Sequence, residues 1–285
     1  MSPRVQLIVE CGATKSDWTL VADGIVRQHF KTGGLNFSSG DTAYLQKTLQ
    51  EAFSALESAP GQIHFYAAGL FASAAADSPY KSLEGLLSTA FPSAELHLEN
   101  DLLAAARALC GHGEGIAVIL GTGSNACRFD GRQIVAKTAS GGFILGDEGS
   151  ASALGRVFIA DLIKGLVPDE LVRAFANRDL TYPAIVQEVY HGASPAAYLG
   201  GFAPTLLDHY ATSDYVRERV DANFRAFFAR SLRPLGAEEG LPVNVTGGFG
   251  CACAPILAAL GEAAGIRFGR FLASPSEALI AYHTR

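Results

Sequence analysis

Two stretches of this sequence repeat one pattern, and the repeat limits the folds that the chain can adopt. In the first, an apolar segment leads into a small-residue turn, and a second apolar segment ends at Asp23-Gly24. In the second, the same order runs from Ile116 through Gly121-Thr122-Gly123 to Asp130-Gly131. Asp-Gly between apolar segments is a strong signal for a hairpin turn. The sequence therefore predicts strand, Gly turn, strand, Asp-Gly turn, strand, twice, with the copies differing in length by two residues.

The first Gly turn, Glu10 to Ser16, has the groups needed to bind a polyphosphate. Glycine leaves backbone N–H groups uncovered, Thr14 and Ser16 add hydroxyls, and Lys15 adds an ammonium. An ordinary tight hairpin has a similar composition, so this turn alone leaves both interpretations open. Neither Gly turn is a P-loop. Gly121 to Ala126 fits a loose G-x-G-x-x-A, but a strand-like segment follows it where a dinucleotide site requires a helix.

Composition excludes several classes of protein. The chain has 285 residues, 49% of them hydrophobic and 18% charged, which is typical of a globular protein with a large core in two lobes. A net charge of −6 without a Lys/Arg block argues against a nucleic-acid surface. Because no signal peptide or 18-residue apolar run is present, we expect a cytoplasmic protein with no membrane partner. The five cysteines form no C-x-x-C pair, so neither a disulfide framework nor a zinc ribbon is expected.

Periodicity predicts an α/β fold. After the first three strands, helical spacing covers 41–56, a strand covers 63–68, a helix covers 80–91 and a strand covers 94–98, with a helix starting at Asp101. This order, β-β-β-α-β-α-β, predicts a mixed sheet with helices on its faces. The second half continues with three strands over 116–137, mostly helix to about 235, a strand at 241–245, a third Gly turn at 247–250, and helices at 255–262 and 276–282.

Five segments carry a family resemblance: ECGATKS, ENDLLAA, LGTGSN, GGFILGDEGSA and VTGGFG. In this order and at these spacings, the chain resembles the BadF/BadG/BcrA/BcrD group of the actin-like ATPase and sugar kinase superfamily, and is most similar to N-acetylglucosamine kinases. The resemblance implies two ribonuclease H-like (actin-like ATPase) lobes, with ATP and sugar in an interlobe cleft. We expect the N-terminal lobe at 1–110 and the C-terminal lobe, with a helical insertion, at 111–273. The helix within 274–285 would pack back on the first lobe.

The resemblance also assigns the site residues by position. Asp101 would be the base that accepts the proton of a sugar hydroxyl during phosphoryl transfer; a simple helix N-cap is the alternative. The phosphates and adenosine would be held by Gly12, Thr14, Lys15, Gly121, Thr122, Gly123, Gly247 and Gly248. The sugar would be held by Asn36, Ser124, Asn125, Gly141, Gly142 and Asp147. Glu10 would contribute to a Mg²⁺ site through a water molecule.

The resemblance implies phosphorylation of an N-acetylated amino sugar by ATP, first of all N-acetylglucosamine at its 6-hydroxyl. Two departures from the family pattern affect this expectation. Glu10, Cys11 and Ala13 stand where the family commonly has Asp and glycines, and Gly141 replaces an aromatic residue, which widens the sugar subsite. N-acetylmuramic acid or another hexosamine is therefore an alternative substrate. An ATPase activator with an iron–sulfur cluster, for which Cys251 and Cys253 are the candidate ligands, and a sensor without kinase activity are further alternatives. The oligomeric state stays open, a homodimer included.

Overall fold

The computed structural model describes residues 5–12, 15–37 and 41–284. It contains two compact units, one formed by Met1–Gly111 with Pro275–Arg285 and the other by His112–Ser274. Each unit is built on one five-stranded mixed sheet. The α/β fold class expected from the sequence is therefore confirmed.

The first sheet has the order β3-β2-β1-β4-β5. Its strands are β1 Val5–Cys11, β2 Lys15–Ala22, β3 Ile25–Gly33, β4 Gln62–Ala67 and β5 Glu95–Asn100. The first three strands pair antiparallel, whereas β4 and β5 continue the sheet parallel to β1. The helices between and after these strands are α1 Thr42–Ala55, α2 Pro79–Ala90 and α3 Asp101–Cys110. Element order and type agree with the predicted β-β-β-α-β-α-β.

The second sheet repeats this arrangement in the order β10-β9-β6-β7-β8. Its strands are β6 Gly115–Leu120, β7 Ser124–Phe129, β8 Ile134–Lys137, β9 Val243–Thr246 and β10 Phe268–Leu272. As in the first sheet, the central strand β6 pairs antiparallel with the next strand and parallel with β9. The repeat read from the two Gly turns is thus a repeat of sheet topology. The sequence did not predict β10.

Helices fill the rest of the second unit. Between β8 and β9 lie α4 Gly142–Leu145, α5 Ala151–Leu162, α6 Asp169–Ala174, α7 Tyr182–His191, α8 Pro195–Gly200, α9 Ala203–Asp208 and α10 Asp214–Phe227. A π-helical turn, Phe228–Leu232, extends α10, and 3₁₀ turns follow at Arg233–Leu235 and Ala237–Glu239. After β9 come α11 Gly248–Ala252 and α12 Ala254–Ala263. One stripe of α10 and the π-helical turn faces the core, because Val220, Phe224, Phe227, Phe228 and Leu232 are all buried.

One face of the first sheet packs its apolar side chains against α1 and α2. Trp18 is fully buried there, edge-on to Phe65 with 5.8 Å between ring centroids. Local sequence starts both helices: Asp41 Oδ1 accepts the N–H of Ala43 at 2.7 Å, and Ser78 caps α2 ahead of Pro79. The carboxyl ends of β1, β4 and β5 therefore project from a well-packed core.

The last helix, α13 Ser276–Thr284, packs on α3 within the first unit. On that side of the sheet, the hydroxyl of the buried Tyr66 bonds to His283 Nε2 at 2.9 Å and accepts a hydrogen bond from Arg107. None of the helices in the described residues is long and apolar enough to cross a membrane.

Candidate functional site

The predicted site residues of the first unit gather where its parallel strands end. Glu10 and Gly12 lie at the end of β1, and Asp101 directly follows β5. Asn36 lies at the end of β4, because the next residue, Phe37, donates its N–H to Ala68 O at 2.9 Å. Lys15 joins them, since its carbonyl accepts the Gly12 N–H at 2.9 Å. The carboxyl ends of parallel strands are the usual position for ligands in α/β sheets. Thr14, the remaining predicted member, lies outside the described residues.

Asp101 is not the cap of its helix. The N-cap of α3 is Asn100, whose Oδ1 accepts the N–H of Leu103 at 2.9 Å. Asp101 occupies the first helical position, where burial raises its pKa to about 6 while the Leu102 N–H opposes the rise. The cap interpretation of Asp101 is therefore wrong for a definite reason: the neighbouring Asn100 already caps the helix, and the carboxylate is left available.

Glu10 faces two other carboxylates. It is paired across β1 and β2 with Asp17, so the two side chains share one face of the sheet. Burial, followed by the charges of Asp17 and Asp101, raises the pKa of Glu10 to about 7. Asp17 Oδ1 accepts from His29 Nε2 at 3.0 Å and lies 3.6 Å from Lys31 Nζ. Its buried Oδ2 has no hydrogen-bond partner within the described residues.

Replacing Glu10 with Gln is expected to stabilise the protein at alkaline pH. A pKa raised from 4.5 to about 7 means that folding favours the protonated acid. The stability from this preference is complete below pH 4.5 and is lost as the pH rises through about 7. Since a glutamine side chain stays neutral at every pH, we expect Glu10→Gln to raise the unfolding free energy by about 2 kcal/mol at pH 8 and to change little at about pH 4.5.

Urea unfolding in the presence of EDTA at both pH values measures the effect. Glu51→Gln is the control, because Glu51 is largely exposed and should show no such difference. A Glu10→Gln protein less stable than wild type at pH 8 contradicts the argument.

In the second unit, the turn between β6 and β7 has two backbone amides that donate to none of the described residues. Gly121 N–H closes the turn by donating to Gly123 O at 2.9 Å. The carbonyls of Gly121 and Thr122 accept the N–H groups of Ala151 and Ser152, at 3.0 and 3.1 Å, from the start of α5. The N–H groups of Thr122 and Gly123 donate to no other group in the part of the chain that the structure describes. Such a turn has two fixed donors to offer an anion.

Asp147 lies against this turn. Its Oδ1 accepts the N–H of Ser124 at 3.2 Å, and its Oδ2 would be 2.9 Å from a Cβ on Gly123. Burial raises the pKa of Asp147, and the Ser124 N–H opposes the rise. The structure thus brings Gly123 together with two of the predicted sugar residues, Ser124 and Asp147. The backbone of Asp147 has φ of 54°, in the left-handed region that Asp tolerates better than most residues.

The other predicted sugar residues border this group. Gly141 and Gly142 precede Asp147 in the same loop, with φ of 74° and 67°. A Cβ on Gly142 would meet nothing within 4 Å, so the space beside it is open. Asn125 follows Ser124 on β7 and its Oδ1 accepts the N–H of Ala126 at 3.0 Å. These residues form a polar, partly open edge beside the 121–123 turn.

The third glycine segment packs directly on the second. Gly247 has φ of 110°, and a Cβ there would lie 2.3 Å from Leu120 O. Because Leu120 immediately precedes Gly121, residues 247–248 lie beside the 121–123 turn. The predicted turn over 247–250 needs a correction, since α11 already begins at Gly248. Its start is set by the close approach of Gly247 to β6, which apolar periodicity does not reveal.

Each unit carries groups of the kind that bind phosphate or magnesium. In the second unit, the amides of Thr122 and Gly123 suit phosphate oxygens. In the first unit, the ammonium of Lys15 does so. No group of three or more His, Cys, Asp or Glu side chains among the described residues could hold a metal ion by itself. Magnesium bound to nucleotides needs only one or two carboxylates besides phosphates and waters. Glu10 is a carboxylate of this kind, and its cross-strand neighbour Asp17 has an Oδ2 without a hydrogen-bond partner among the described residues.

Comparison with solved structures gives full-length matches. A protein of Porphyromonas gingivalis described as a "putative N-acetylglucosamine kinase" is 36% identical, with 98% of both chains covered and a TM-score of 0.86. One of the same description from Chromobacterium violaceum is 20% identical, with 98% of both chains covered and a TM-score of 0.77. A ROK family glucokinase from Streptomyces griseus, in complex with glucose and AMPPNP, is 16% identical over 98% of this chain and 97% of its own, with a TM-score of 0.55. No protein-family model and no curated protein matches the chain.

Proposed function

Because the chain belongs to the N-acetylglucosamine kinase branch of the actin-like ATPase and sugar kinase superfamily, we propose that it phosphorylates an N-acetylated amino sugar with ATP. N-acetylglucosamine, at its 6-hydroxyl, is the first substrate in this proposal. Each compact unit would be one lobe of the enzyme. The observation that carries the proposal is Asp101, a carboxylate at the end of β5 that does not cap its helix and whose pKa is raised to about 6.

Asp101 is proposed to act as the general base. As the sugar hydroxyl oxygen forms its bond to the γ-phosphorus, the bond from phosphorus to the β,γ-bridging oxygen breaks, and ADP leaves. The hydroxyl proton passes to Asp101, which is ionised above about pH 6. A carboxylate of this pKa accepts the proton in the transition state and releases it to solvent near neutral pH.

The phosphates would be held by the two Gly turns. Thr122 and Gly123 would donate their free N–H groups, and Lys15 would neutralise charge with its ammonium. When bound, Mg²⁺ would supply further neutralisation of the phosphate charge, with Glu10 contacting it through a water. Gly247 and Gly248, which lie beside the 121–123 turn, would line the adenosine.

The sugar would be held chiefly by Asp147. A buried carboxylate can accept hydrogen bonds from two neighbouring hydroxyls, and Asp147 is fixed by the Ser124 N–H. Asn36, Ser124 and Asn125 would add further polar contacts. The Gly141-Gly142 backbone would allow the ring to approach closely.

N-acetylmuramic acid is the second candidate substrate, and one feature favours it. The space beside Gly142 is open, and Arg156 lies near enough to Asp147 to affect its pKa while donating to Ile144 O at 2.7 Å. The guanidinium of Arg156 would pair with the lactyl carboxylate of this sugar. The activator alternative is less favourable, because burial raises the pKa of Cys253 to about 12 and that of Cys251 also. Cluster ligation requires thiolates.

A coupled ADP-release assay tests the proposal. The acceptors are glucose, glucosamine, N-acetylglucosamine, N-acetylmannosamine and N-acetylmuramic acid, and phosphorus NMR identifies the phosphorylated hydroxyl. We expect the highest kcat/KM with N-acetylglucosamine and a product phosphorylated at carbon 6. Preference for N-acetylmuramic acid that Arg156→Gln abolishes selectively supports the second candidate. No ADP release above the ATP-only rate with any acceptor, or a brown iron-containing protein, contradicts both.

A further inference from the structure

Helix α10 holds the loop that follows Asp147 with three side chains from one face. Asn223, Phe227 and Arg230, spaced i, i+4 and i+7, contact residues 148–150; we call these three residues the α10 clamp. Arg230, in the π-helical turn, bonds to Glu148 Oε1 at 2.5 Å. Phe227 packs so closely on Gly149 that a Cβ there would lie 2.7 Å from the Phe227 ring.

Asn223 makes the two directional bonds of the clamp. Its Oδ1 accepts the N–H of Gly149 at 2.9 Å, and its Nδ2 donates to Ser150 O at 3.1 Å. The Arg230 contact contributes less, because the guanidinium is 70% exposed and surface ion pairs are weak. The loop needs outside support, since Asp147 and Gly149 both have positive φ, of 54° and 79°. Asn223 therefore provides both of the side-chain hydrogen bonds from α10 to the backbone of this loop.

The loop held by the α10 clamp connects to two proposed binding groups, Asp147 before it and the 121–123 turn through the start of α5. Backwards along the chain, Asp147 reaches the Ser124 N–H. Forwards, Ser150 Oγ caps α5 by accepting the Ala153 N–H at 3.1 Å, and the N–H groups of Ala151 and Ser152 hold the carbonyls of Gly121 and Thr122. One side chain on α10 thus supports both the sugar carboxylate and the phosphate turn.

We propose that Asn223 is a positioning residue, which sets Asp147 for the acceptor sugar and, through the start of α5, sets the 121–123 turn for ATP. This inference rests on the proposed function. A small displacement of an oriented group is enough to cost about 10²-fold in rate. Loss of Asn223 is therefore expected to lower kcat/KM for the sugar by about 10- to 100-fold and to raise the KM for ATP by a smaller factor.

Kinetics of five variants test the inference: Asn223→Ala, Asn223→Asp, Arg225→Ala, Asp147→Ala and the Asp147→Ala/Asn223→Ala double variant. Asn223→Ala removes both bonds, whereas Asn223→Asp keeps the acceptor for Gly149 N–H and loses the donor, so its effect should be smaller. Arg225→Ala is the control, because this residue of the same helix is 65% exposed and pairs with Asp221 instead. In an Asp147→Ala background, Asn223→Ala should change kcat/KM for the sugar by less than about threefold, since the residue through which it acts is gone. The inference would be overturned if the effects of Asn223→Ala and Asp147→Ala on kcat/KM were additive. It would also be overturned if Asn223→Ala lowered the Tm and left the kinetics unchanged.

Hydrogen–deuterium exchange separates this inference from the proposed function. Asn223→Ala in the ligand-free protein should speed exchange in 147–152 and 121–124 and leave the sheet unchanged. If wild type phosphorylates no sugar but this pattern appears, the proposed function fails, while the structural part of the inference, that Asn223 positions Asp147 and the 121–123 turn, stands. If wild type is active and Asn223→Ala alters neither kinetics nor exchange, the positioning role fails alone. Should Asn223→Ala not fold, Asn223→Asp carries both measurements, with faster exchange at Ser150 to Ser152 as the expected result.

Discussion

Asp101→Asn is expected to lower kcat by about 10³-fold with little change in the KM of either substrate. The variant keeps the size of the side chain and its place after the Asn100 cap, but it cannot accept the hydroxyl proton. In wild type, kcat/KM should fall on the acid side with an apparent pKa of about 6, because the base must be ionised. The residual activity of the variant should not show this fall at acid pH.

Stability distinguishes this loss from misfolding. Folding raises the pKa of Asp101 from 3.8 to about 6, so the stability from this group is complete below pH 3.8 and is lost as the pH rises through about 6. A neutral Asn avoids that loss, and the variant should be at least as stable as wild type at pH 8. Asp214→Asn is the matched control, because Asp214 holds the same first position in α10 behind the Ser213 cap but is exposed. Full activity of Asp101→Asn excludes the proposed role.

Gly247→Ala is expected to destabilise the protein by about 3 kcal/mol or more. Its φ of 110° and ψ of 146° lie in a region that only glycine populates well. The added Cβ would also meet backbone atoms of Leu120, with its oxygen at 2.3 Å and its carbon at 2.8 Å, and neither can rotate away. Because Leu120 leads into the 121–123 turn, the KM for ATP should rise as well.

The neighbouring glycine provides the control. Gly248 is the first residue of α11, and a Cβ there would meet nothing within 4 Å. Gly248→Ala should therefore stabilise the protein slightly, by up to about 1 kcal/mol, through the helix preference of alanine. Denaturant unfolding of both variants measures the contrast. Equal effects of the two substitutions would contradict the strain assigned to Gly247.

Local patterns in the sequence were sufficient for most of the fold. Asp-Gly turns and apolar segments predicted both three-stranded units, and Asp41 and Ser78 begin helices where the periodicity placed them. The missed strand, β10, does not alternate apolar and polar residues, and its pairing with β9 is interrupted between Phe268 and Phe271. There, Asn244 Oδ1 accepts the N–H of Arg270 at 2.8 Å in place of a regular ladder bond. A side chain distant in sequence completes that strand.

Candidate site residues could be named from the sequence where one short segment carries them. The 121–125 turn and Asp147 came from motifs, and the structure brings them together through the Ser124 N–H. Asn223 had no such signal, because it lies 74 residues beyond Gly149 in a helix whose pattern reflects only core packing. Asp17 lies next to a recognised motif, yet its significance depends on its register opposite Glu10.

The sequence by itself determined the repeated three-stranded units, the positions of most helices and the positions of the Gly turns. These features depend on contacts between residues close along the chain. Only the tertiary structure decided that Asn100 rather than Asp101 caps α3, that the pKa of Glu10 rises to about 7, and that α10 supports the loop behind Asp147. Capping geometry, burial and long-range hydrogen bonds depend on which distant side chains the fold brings together. That is why the Gly turns could be recognised in the sequence, while the pKa shifts and hydrogen bonds of the carboxylates could not.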